Sequence, residues 1–508
     1  MELYRLLSSL ESFSYEKPKD MEISGISSDS RRIKSGDLFV CIRGLHTDGH
    51  AYIEAAARAG AAAVVTEAGC EARVPAHIPQ ITVPSTRSAL ARLCHAWYGY
   101  PGDRLRLIAV TGTNGKTSVS FMLRAIWEAS MSHCGVIGTV RCDSGERRLA
   151  NSPHDPLANM TTPDPEDLYR MLAEMVSDGV DTVIMEATSH ALALGKLDAL
   201  HFDVAVFTNL TPEHLDFHGD MEQYFLAKSK LFDMCDLAVI NGDDPYGARL
   251  AGQVSCPVRL CSAKRAAADY LADDIEDHGV HGVTYRIRSR NARTTVRCPI
   301  PGTFSVMNSL QAASVALERG KTPGCIHDAL AALGGVSGRM ERVRLPLEAE
   351  YTVFVDYAHT PDALENLLRT ARGFCRGENR LILLFGCGGD RDRGKRPLMG
   401  ELAARLADLV IVTSDNSRSE EPRQIMEEIL VGMRACPETP YIAIEDRREA
   451  IGYAIAHAGE GDVILLAGKG HESYEIDKTG RHPFDEKAIA AEYARQRAAR
   501  REHKDEND

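Results

Sequence analysis

The chain has 508 residues, too many for a single hydrophobic core, and its length gives a prior of about three domains. It is 44% hydrophobic, 26% charged and 6% aromatic, the balance expected of a water-soluble α/β protein. A net charge of −13, with no basic tract before the C-terminal tail, argues against duplex nucleic acid or an acidic membrane surface as partner.

No apolar run approaches a membrane span, and Met1 to Leu10 lacks the charged start and apolar core of a signal peptide. The thirteen cysteines are scattered without a C-x-x-C pair, so the expectation is reduced thiols in a cytoplasm. Cys256, Cys261, His278 and His281 follow no zinc spacing and read as incidental.

Residues 1–103 are expected to form a small α/β unit. Ser28-Asp29-Ser30-Arg31-Arg32 precedes a strand over 38–42, and the loop Arg43 to His50 follows it. An alanine-rich helix over 52–59 then leads to a strand over 62–66. Hydroxyls, paired arginines and a glycine loop on either side of a strand suit a diphosphate or a sugar, although such loops are also ordinary caps and turns. Tyr100-Pro101-Gly102-Asp103 is a turn cluster and marks a domain boundary.

The next stretch organises the chain. An apolar run, Leu105 to Val110, breaks into Thr111-Gly112-Thr113-Asn114-Gly115-Lys116-Thr117-Ser118, and an amphipathic helix is predicted to about Glu128. A strand that ends in glycines and opens a helix aims several N–H groups at one anion, and the helix dipole adds to their pull. Lys116 is then placed to reach the outer phosphates, and the Thr117 hydroxyl to ligate magnesium, although Val110 occupies the usual first-glycine position. This is the signature of a nucleoside triphosphate site.

Downstream, strands over 181–185 and 202–208 end on Glu186 and on Asn209 to Asp216, with His214 among them. Polar groups beyond the carboxyl ends of strands are where open α/β sheets build sites, so Glu186 and His214 are candidates to face phosphates and a metal. Lys228, on its own, reads as a solvated helix lysine. A strand over 237–240 and a helix carrying Asn308 follow, and Gly334 to Gly338 reads as a second linker, with Arg339 just beyond it. In the last third, strands over 352–355, 381–385, 409–413 and 463–467 each end in glycine- and charge-rich loops, which converge if the sheet is doubly wound. The run from Arg495 to Asp508 reads as a charged, frayed tail.

Taken together, T-G-T-N-G-K-T, T-T-P-D-P (161–165), E-A-T-S-H-A-L, N-L-T-P-E-H-L-D, Y-F-L-A-K (224–228), G-R-M-E, D-Y-A-H-T-P-D-A-L, G-C-G-G-D-R-D and G-K-G-H-E occur in a fixed order from about Asp29 to Glu472. This pattern resembles the Mur ligases, ATP-dependent amide-forming enzymes of bacterial peptidoglycan synthesis. Within them it is most similar to the type adding a diamino acid to UDP-N-acetylmuramoyl-L-Ala-D-Glu.

The resemblance implies an α/β fold of three domains: 1–103 for the UDP-sugar, 104–337 for ATP with a mostly parallel sheet, and a Rossmann-like 338–508 for the amino acid. It implies contacts of Ser28, Ser30, Leu45, His46 and Thr47 with the uridine diphosphate, and of Thr161, Thr162, Thr188 and Lys196 with the muramoyl peptide. Gly112 to Ser118, Asn308, Arg339 and Asp356 would serve ATP. Thr117, Glu186 and His214 would serve magnesium, together with Lys228 as a carbamate (N6-carboxylysine), which reverses the bland reading of that lysine. Lys116, His214 and Lys228 are the implied catalytic residues.

Arg391, Asp415, Asn416, Ser417, Arg418, Gly468 and Glu472 would hold the amino acid. In enzymes of this family adding meso-diaminopimelate the pattern is D-N-P-R, and its arginine grips the distal carboxylate that lysine lacks. Three departures stand out: Thr188 where serine is common, Lys196 where arginine is common, and Ser417 in place of proline. The expectation is a cytoplasmic monomer using ATP and magnesium, with meso-diaminopimelate as the added amino acid. The alternatives are L-lysine or L-ornithine in the same reaction, a folylpolyglutamate synthase, and a P-loop regulatory ATPase.

Overall fold

The computed structural model describes residues 1–15, 21–44, 47–70, 73–145, 147–149, 160–290, 293–346 and 349–505. They fall into two compact units: Met1–Gly112, Ile126–Thr208 and Glu222–Leu260 form one, and Thr113–Ala125, Asn209–Met221 and Cys261–Asp508 the other. Among the described residues, no helix is long and apolar enough to cross a membrane.

The first unit contains two sheets. The smaller runs in the order Ser14–Tyr15, Gln80–Val83, Ala63–Glu67, Asp37–Val40 and Gly25–Ser27, parallel except for its first strand. The strands expected over 38–42 and 62–66 are therefore present, shifted by a residue or two. In the larger sheet, Arg106–Thr111 lies between Thr182–Glu186 and Val204–Phe207, parallel to both, with Ile108 opposite Ile184 and Val110 opposite Val206. Ala238–Asn241 and Cys134–Ile137 extend it in parallel on either side. The parallel direction brings the ends of three strands (Gly112, Glu186 and Thr208) to one edge. Thr111 ties them together: its hydroxyl donates to the Ala187 carbonyl at 2.8 Å, and its own carbonyl accepts from Thr208 N–H at 3.0 Å.

The second unit has a six-stranded sheet ordered Glu341–Arg342, Thr352–Asp356, Val463–Ala467, Leu381–Phe385, Leu409–Val412 and Tyr441–Ala443. All its pairings are parallel except the first. Its four central strands are almost wholly apolar because both faces are covered. Phe354, Leu383, Phe385, Val410 and Leu465 pack on one side, and Val353, Val355, Leu384, Ile411 and Ile464 on the other. Such continuous runs are what a parallel sheet between helices demands. Truncating one of these fully buried leucines to alanine costs about 2–5 kcal/mol.

Two features depart from the sequence reading. An antiparallel set, Tyr270–Asp277, Val283–Arg288 and Arg293–Cys298, follows the parallel strands and was not expected. The tail is not frayed from Arg495: one helix runs Glu486–Asp505. It is held because Ile489, Ala490 and Ala494 are buried, while Arg497 caps carbonyls of Ile455 and Ala458, the latter at 2.7 Å. Arg495 and Arg500 are exposed on the same helix, as the polar face of an amphipathic helix requires.

Candidate functional site

In the first unit Glu186 and the predicted peptide residues Thr161, Thr162 and Thr188 gather at the carboxyl edge of the larger sheet, while Thr117 and His214 belong to the second unit. Glu186 is buried at the end of its strand, and its two carboxylate oxygens accept from Thr139 N–H and Thr139 O–H, each at 3.0 Å. Thr139 in turn meets the Thr161 hydroxyl at 2.8 Å. Thr162 donates to the Glu186 carbonyl at 2.8 Å and touches the Thr188 hydroxyl at 3.1 Å. Thr188, present where serine is common, still caps the helix Ser189–Ala193 through its oxygen. The substitution therefore keeps the hydroxyl's structural work.

Lys228 is buried, 1% exposed, on the helix Met221–Ser229. Its Nζ donates to the Gly112 carbonyl at 2.9 Å and lies 4.7 Å from the Tyr224 ring centre. Burial overturns the solvated-lysine reading: a desolvated ammonium is costly unless it is paired or modified. Lys196 pairs with Asp164 at 2.7 Å. Ser28 gives both its N–H and O–H to Glu166, at 2.9 and 2.8 Å, and Ser30 is half-buried two residues on. Thr47 is exposed, and its carbonyl accepts from Gly44 N–H. Leu45 and His46 lie outside the described residues.

The second unit holds a cavity of about 240 Å³ lined by Asn114, Gly115, Thr117, Ser118, Asn308, Arg339 and Asp356, all predicted for ATP. Gly115 has φ +88°, and a Cβ there would stand 2.6 Å from the Asn308 carboxamide oxygen, so both conformation and space require glycine. Arg339 donates to the Thr117 hydroxyl at 3.4 Å and stacks over Tyr357 at 4.7 Å. Asp356 accepts from the N–H groups of Met340 and Ala358, yet burial pushes its pKa up despite these bonds and the Arg339 charge. Asn114 is held twice. Its backbone exchanges hydrogen bonds with the Asn209 side chain at 2.9 and 3.1 Å, and its own side-chain amide donates to Asp362 at 2.8 Å.

Lys116 turns back onto the Thr113 carbonyl at 2.8 Å. Near it lies Glu213, a residue that sequence reasoning did not single out, 3.6 Å from His359 Nε2 and 3.7 Å from His214 Nε2. Burial works against its ionisation. The neighbouring His359, then the charges of His214 and Lys116, outweigh burial and hold its carboxyl well below the usual range.

A further cavity of about 420 Å³ in this unit is lined by Arg391, Asp415, Asn416, Arg418, Gly468 and Glu472, with Glu213, His214 and His359 on its wall. The sequence left open whether Arg418 simply pairs with Glu420 or Glu421. It pairs with neither. Glu420 takes Arg393 at 2.7 Å and Arg396 at 2.9 Å, while Glu421 takes Lys478. Arg418 Nη1 donates to the carbonyls of Gly389 and Asn416, at 2.8 and 3.3 Å.

Arg391 is pushed below the usual arginine value, first by desolvation and next by the like charge of Arg418. Opposite these cations stand two acids. Asp415 falls to about 2: burial opposes ionisation, but Lys469, Arg447 and the Asn416 N–H prevail. Glu472 is raised by burial and by Asp415 beside it. Cations and carboxylates in one cavity have the chemistry to receive an amino-carboxylate head. Ser417 is buried, and the stiffness that proline would supply comes instead from pinning. Arg418 N–H donates to the Ile476 carbonyl at 3.1 Å, and Gly389 N–H to Asn416 at 2.9 Å.

Thr139, Glu213, Asp362 and Lys469 were missed. The last three lie inside quoted motifs, where a charged residue beside a recognised one was the available signal. Elsewhere Asp48, His50 and Cys70 bring ligand atoms within 4.8 Å of one another. Both His50 ring nitrogens are already engaged, Nδ1 with Asp48 at 2.6 Å and Nε2 with Glu67 N–H at 3.0 Å, which leaves no lone pair for a metal.

Three family models match the chain in succession: Mur ligase family, catalytic domain, over 22–98; Mur ligase middle domain over 110–316; and Mur ligase, glutamate ligase domain, over 338–470. The chain is 42% identical over 502 residues to the UDP-N-acetylmuramoyl-L-alanyl-D-glutamate–2,6-diaminopimelate ligase of Syntrophomonas wolfei, covering 97% of this chain and 99% of that one. It is 40% identical over 506 residues to the ligase of the same name from Geobacillus thermodenitrificans, with 98% and 100% covered. A solved structure of a ligase bearing that name superimposes with a TM-score of 0.64 at 33% identity, over 94% of this chain and 95% of that chain. With its family models in order and its relatives matched end to end, this chain belongs to the Mur ligase family.

Proposed function

We propose that this protein is an ATP-dependent ligase that joins meso-diaminopimelate to UDP-N-acetylmuramoyl-L-Ala-D-Glu in cytoplasmic peptidoglycan precursor synthesis, working as a monomer. The observation that carries the choice of amino acid is Arg418, which forms no ion pair among the described residues and shares a cavity with Arg391, Asp415 and Glu472. A lysine or ornithine side chain ends in an ammonium alone and has no use for two guanidinium groups, which would repel it. Both relatives described above are named as 2,6-diaminopimelate ligases, which supports the same reading.

The γ-phosphoryl group of ATP passes to an oxygen of the D-Glu side-chain carboxylate, and ADP departs. The amine of the incoming amino acid attacks that acyl carbon, phosphate leaves from the tetrahedral intermediate, and the nitrogen loses its proton to give the amide. The protein's contribution is positioning and charge neutralisation. The N–H groups of Gly112 to Ser118 and the Lys116 ammonium cradle the phosphates. Asn308, Arg339 and Asp356 hold the nucleotide. Ser28, Ser30 and Leu45 to Thr47 take the uridine diphosphate, and Thr161, Thr162, Thr188 and Lys196 the peptide.

The oxygen-rich surroundings of Glu186 suit a hard divalent cation. Thr117, Glu186, His214 and Lys228 as its carbamate would hold magnesium, whose chemistry when bound is to neutralise developing phosphate charge. In this reading segments 1–103, 104–337 and 338–508 serve the UDP-sugar, ATP and the amino acid in turn. The test is phosphate release with ATP and UDP-N-acetylmuramoyl-L-Ala-D-Glu, with no amino acid or with diaminopimelate, lysine or ornithine. Turnover that needs both the nucleotide peptide and diaminopimelate is expected. Turnover without either, or a preference for lysine or ornithine, would overturn the reading.

A further inference from the structure

Lys469 stands directly after the strand Val463–Ala467 and Gly468, fully buried, with 0% exposure. It is not part of the lining of the amino-acid cavity. Its Nζ donates to the Asn416 side-chain oxygen at 3.0 Å and to the Tyr474 carbonyl at 2.8 Å, and lies 3.4 Å from Asp415 Oδ1 and 4.0 Å from Glu472 Oε2. The same Asn416 oxygen accepts from Ile476 N–H at 3.0 Å. Two donors on one atom fix which end of the carboxamide is oxygen, since a flipped amide would face them with its own donors. The Asn416 nitrogen is thereby committed to Glu472, which it reaches at 2.7 Å, while Tyr474 O–H holds the other Glu472 oxygen at 3.3 Å. On the neighbouring side Asp415 accepts from Asn416 N–H at 2.7 Å, and Gly468 leaves it room: a Cβ there would stand 2.9 Å from Asp415 Oδ2.

We infer that Lys469 is a positioning residue for the amino acid: from behind the cavity its ammonium sets the Asn416 amide, and through it the Glu472 carboxylate, while keeping Asp415 in place as an anion. The inference rests on the proposed reading that this cavity takes the distal amino-carboxylate head of diaminopimelate. Lys469 is not part of the lining of the cavity assigned to ATP, so its loss should act on the affinity for one substrate. A hydrogen bond to a charged group, removed from a buried network, changes an equilibrium about 10- to 100-fold.

The experiment compares wild type, Lys469→Met, Asn416→Ala and the double variant in the full-length enzyme, by KM for diaminopimelate, KM for ATP and kcat. Expected are a 10- to 100-fold rise in the diaminopimelate KM of Lys469→Met, an ATP KM within about twofold of wild type, and a kcat that falls less than that KM rises. The double variant should be far less impaired than the product of the two singles, because both break one chain of bonds. An unchanged diaminopimelate KM, or additive effects, would overturn the inference. If Lys469→Met does not bind ATP, Lys469→Gln is read in the same way. Failure of both to bind ATP would also overturn it, since Lys469 would then be a determinant of the fold. Wild-type enzyme that ignores diaminopimelate would refute the underlying reading instead, whatever the variants do.

Discussion

Replacing Arg418 by alanine should raise the KM for diaminopimelate about 150-fold and leave the KM for ATP unchanged. The figure comes from how the guanidinium is already used. Its bonds to Gly389 and Asn416 occupy Nη1, which leaves the Nε–Nη2 edge for a carboxylate in the parallel, two-bond geometry of arginine pairs. Arg418 is half-buried, so each charge-assisted bond is taken at the low end of its range, about 1.5 kcal/mol. Two such bonds amount to about 3 kcal/mol, or about 150-fold. The assay is steady-state phosphate release over a diaminopimelate titration at saturating ATP and nucleotide peptide, with lysine alongside. Because lysine has no distal carboxylate to lose, the variant should discriminate far less between the two amino acids. A diaminopimelate KM within about fivefold of wild type, or an unaltered preference over lysine, would refute the assignment of Arg418 to the substrate.

Lys116→Ala should abolish ligation while far-ultraviolet circular dichroism stays native, because the bond of this lysine to the Thr113 carbonyl lies within its own loop and its proposed duty is to phosphate; near-normal turnover would refute the phosphate-loop role. Lys228→Ala should be nearly inactive and regain part of its activity with small carboxylic acids that replace the carbamate, as read by phosphate release with and without added acetate or formate. Glu472 has its folded pKa raised above the ordinary 4.5, so its charge is full only above the raised value and is lost as pH falls through it. The KM for diaminopimelate should therefore climb on acidification at a pH above 4.5, and Glu472→Gln should flatten that limb in a pH series.

Most elements were legible because their burial is simple. Leu381–Phe385 and Val463–Ala467 are five-residue apolar runs with no polar face to blur the reading, and both strands have the ends expected. The order of strands was not legible. That Val463–Ala467 inserts between Thr352–Asp356 and Leu381–Phe385 depends on crossover connections rather than on any residue in the strand. Phosphate-loop and cavity residues could be named from motifs, because glycine, lysine and arginine at fixed offsets carry their chemistry with them. Lys469 and Glu213 could not. Their roles arise from neighbours distant in sequence, Asn416 for one and His359 for the other, which only the fold supplies.

The double hold on Asn114 bears on how the protein ages. Asn-Gly is the pair most prone to lose its side-chain amide, because an unhindered glycine nitrogen can attack the asparagine carbonyl and close a five-membered imide. Here the residue that precedes Gly115 has its backbone bonded to Asn209 and its amide to Asp362. Ring closure would have to break those bonds and turn the side chain back onto its own chain. The fold that shapes the phosphate loop thus also keeps its asparagine from becoming aspartate, a change that would put a negative charge where ATP brings several.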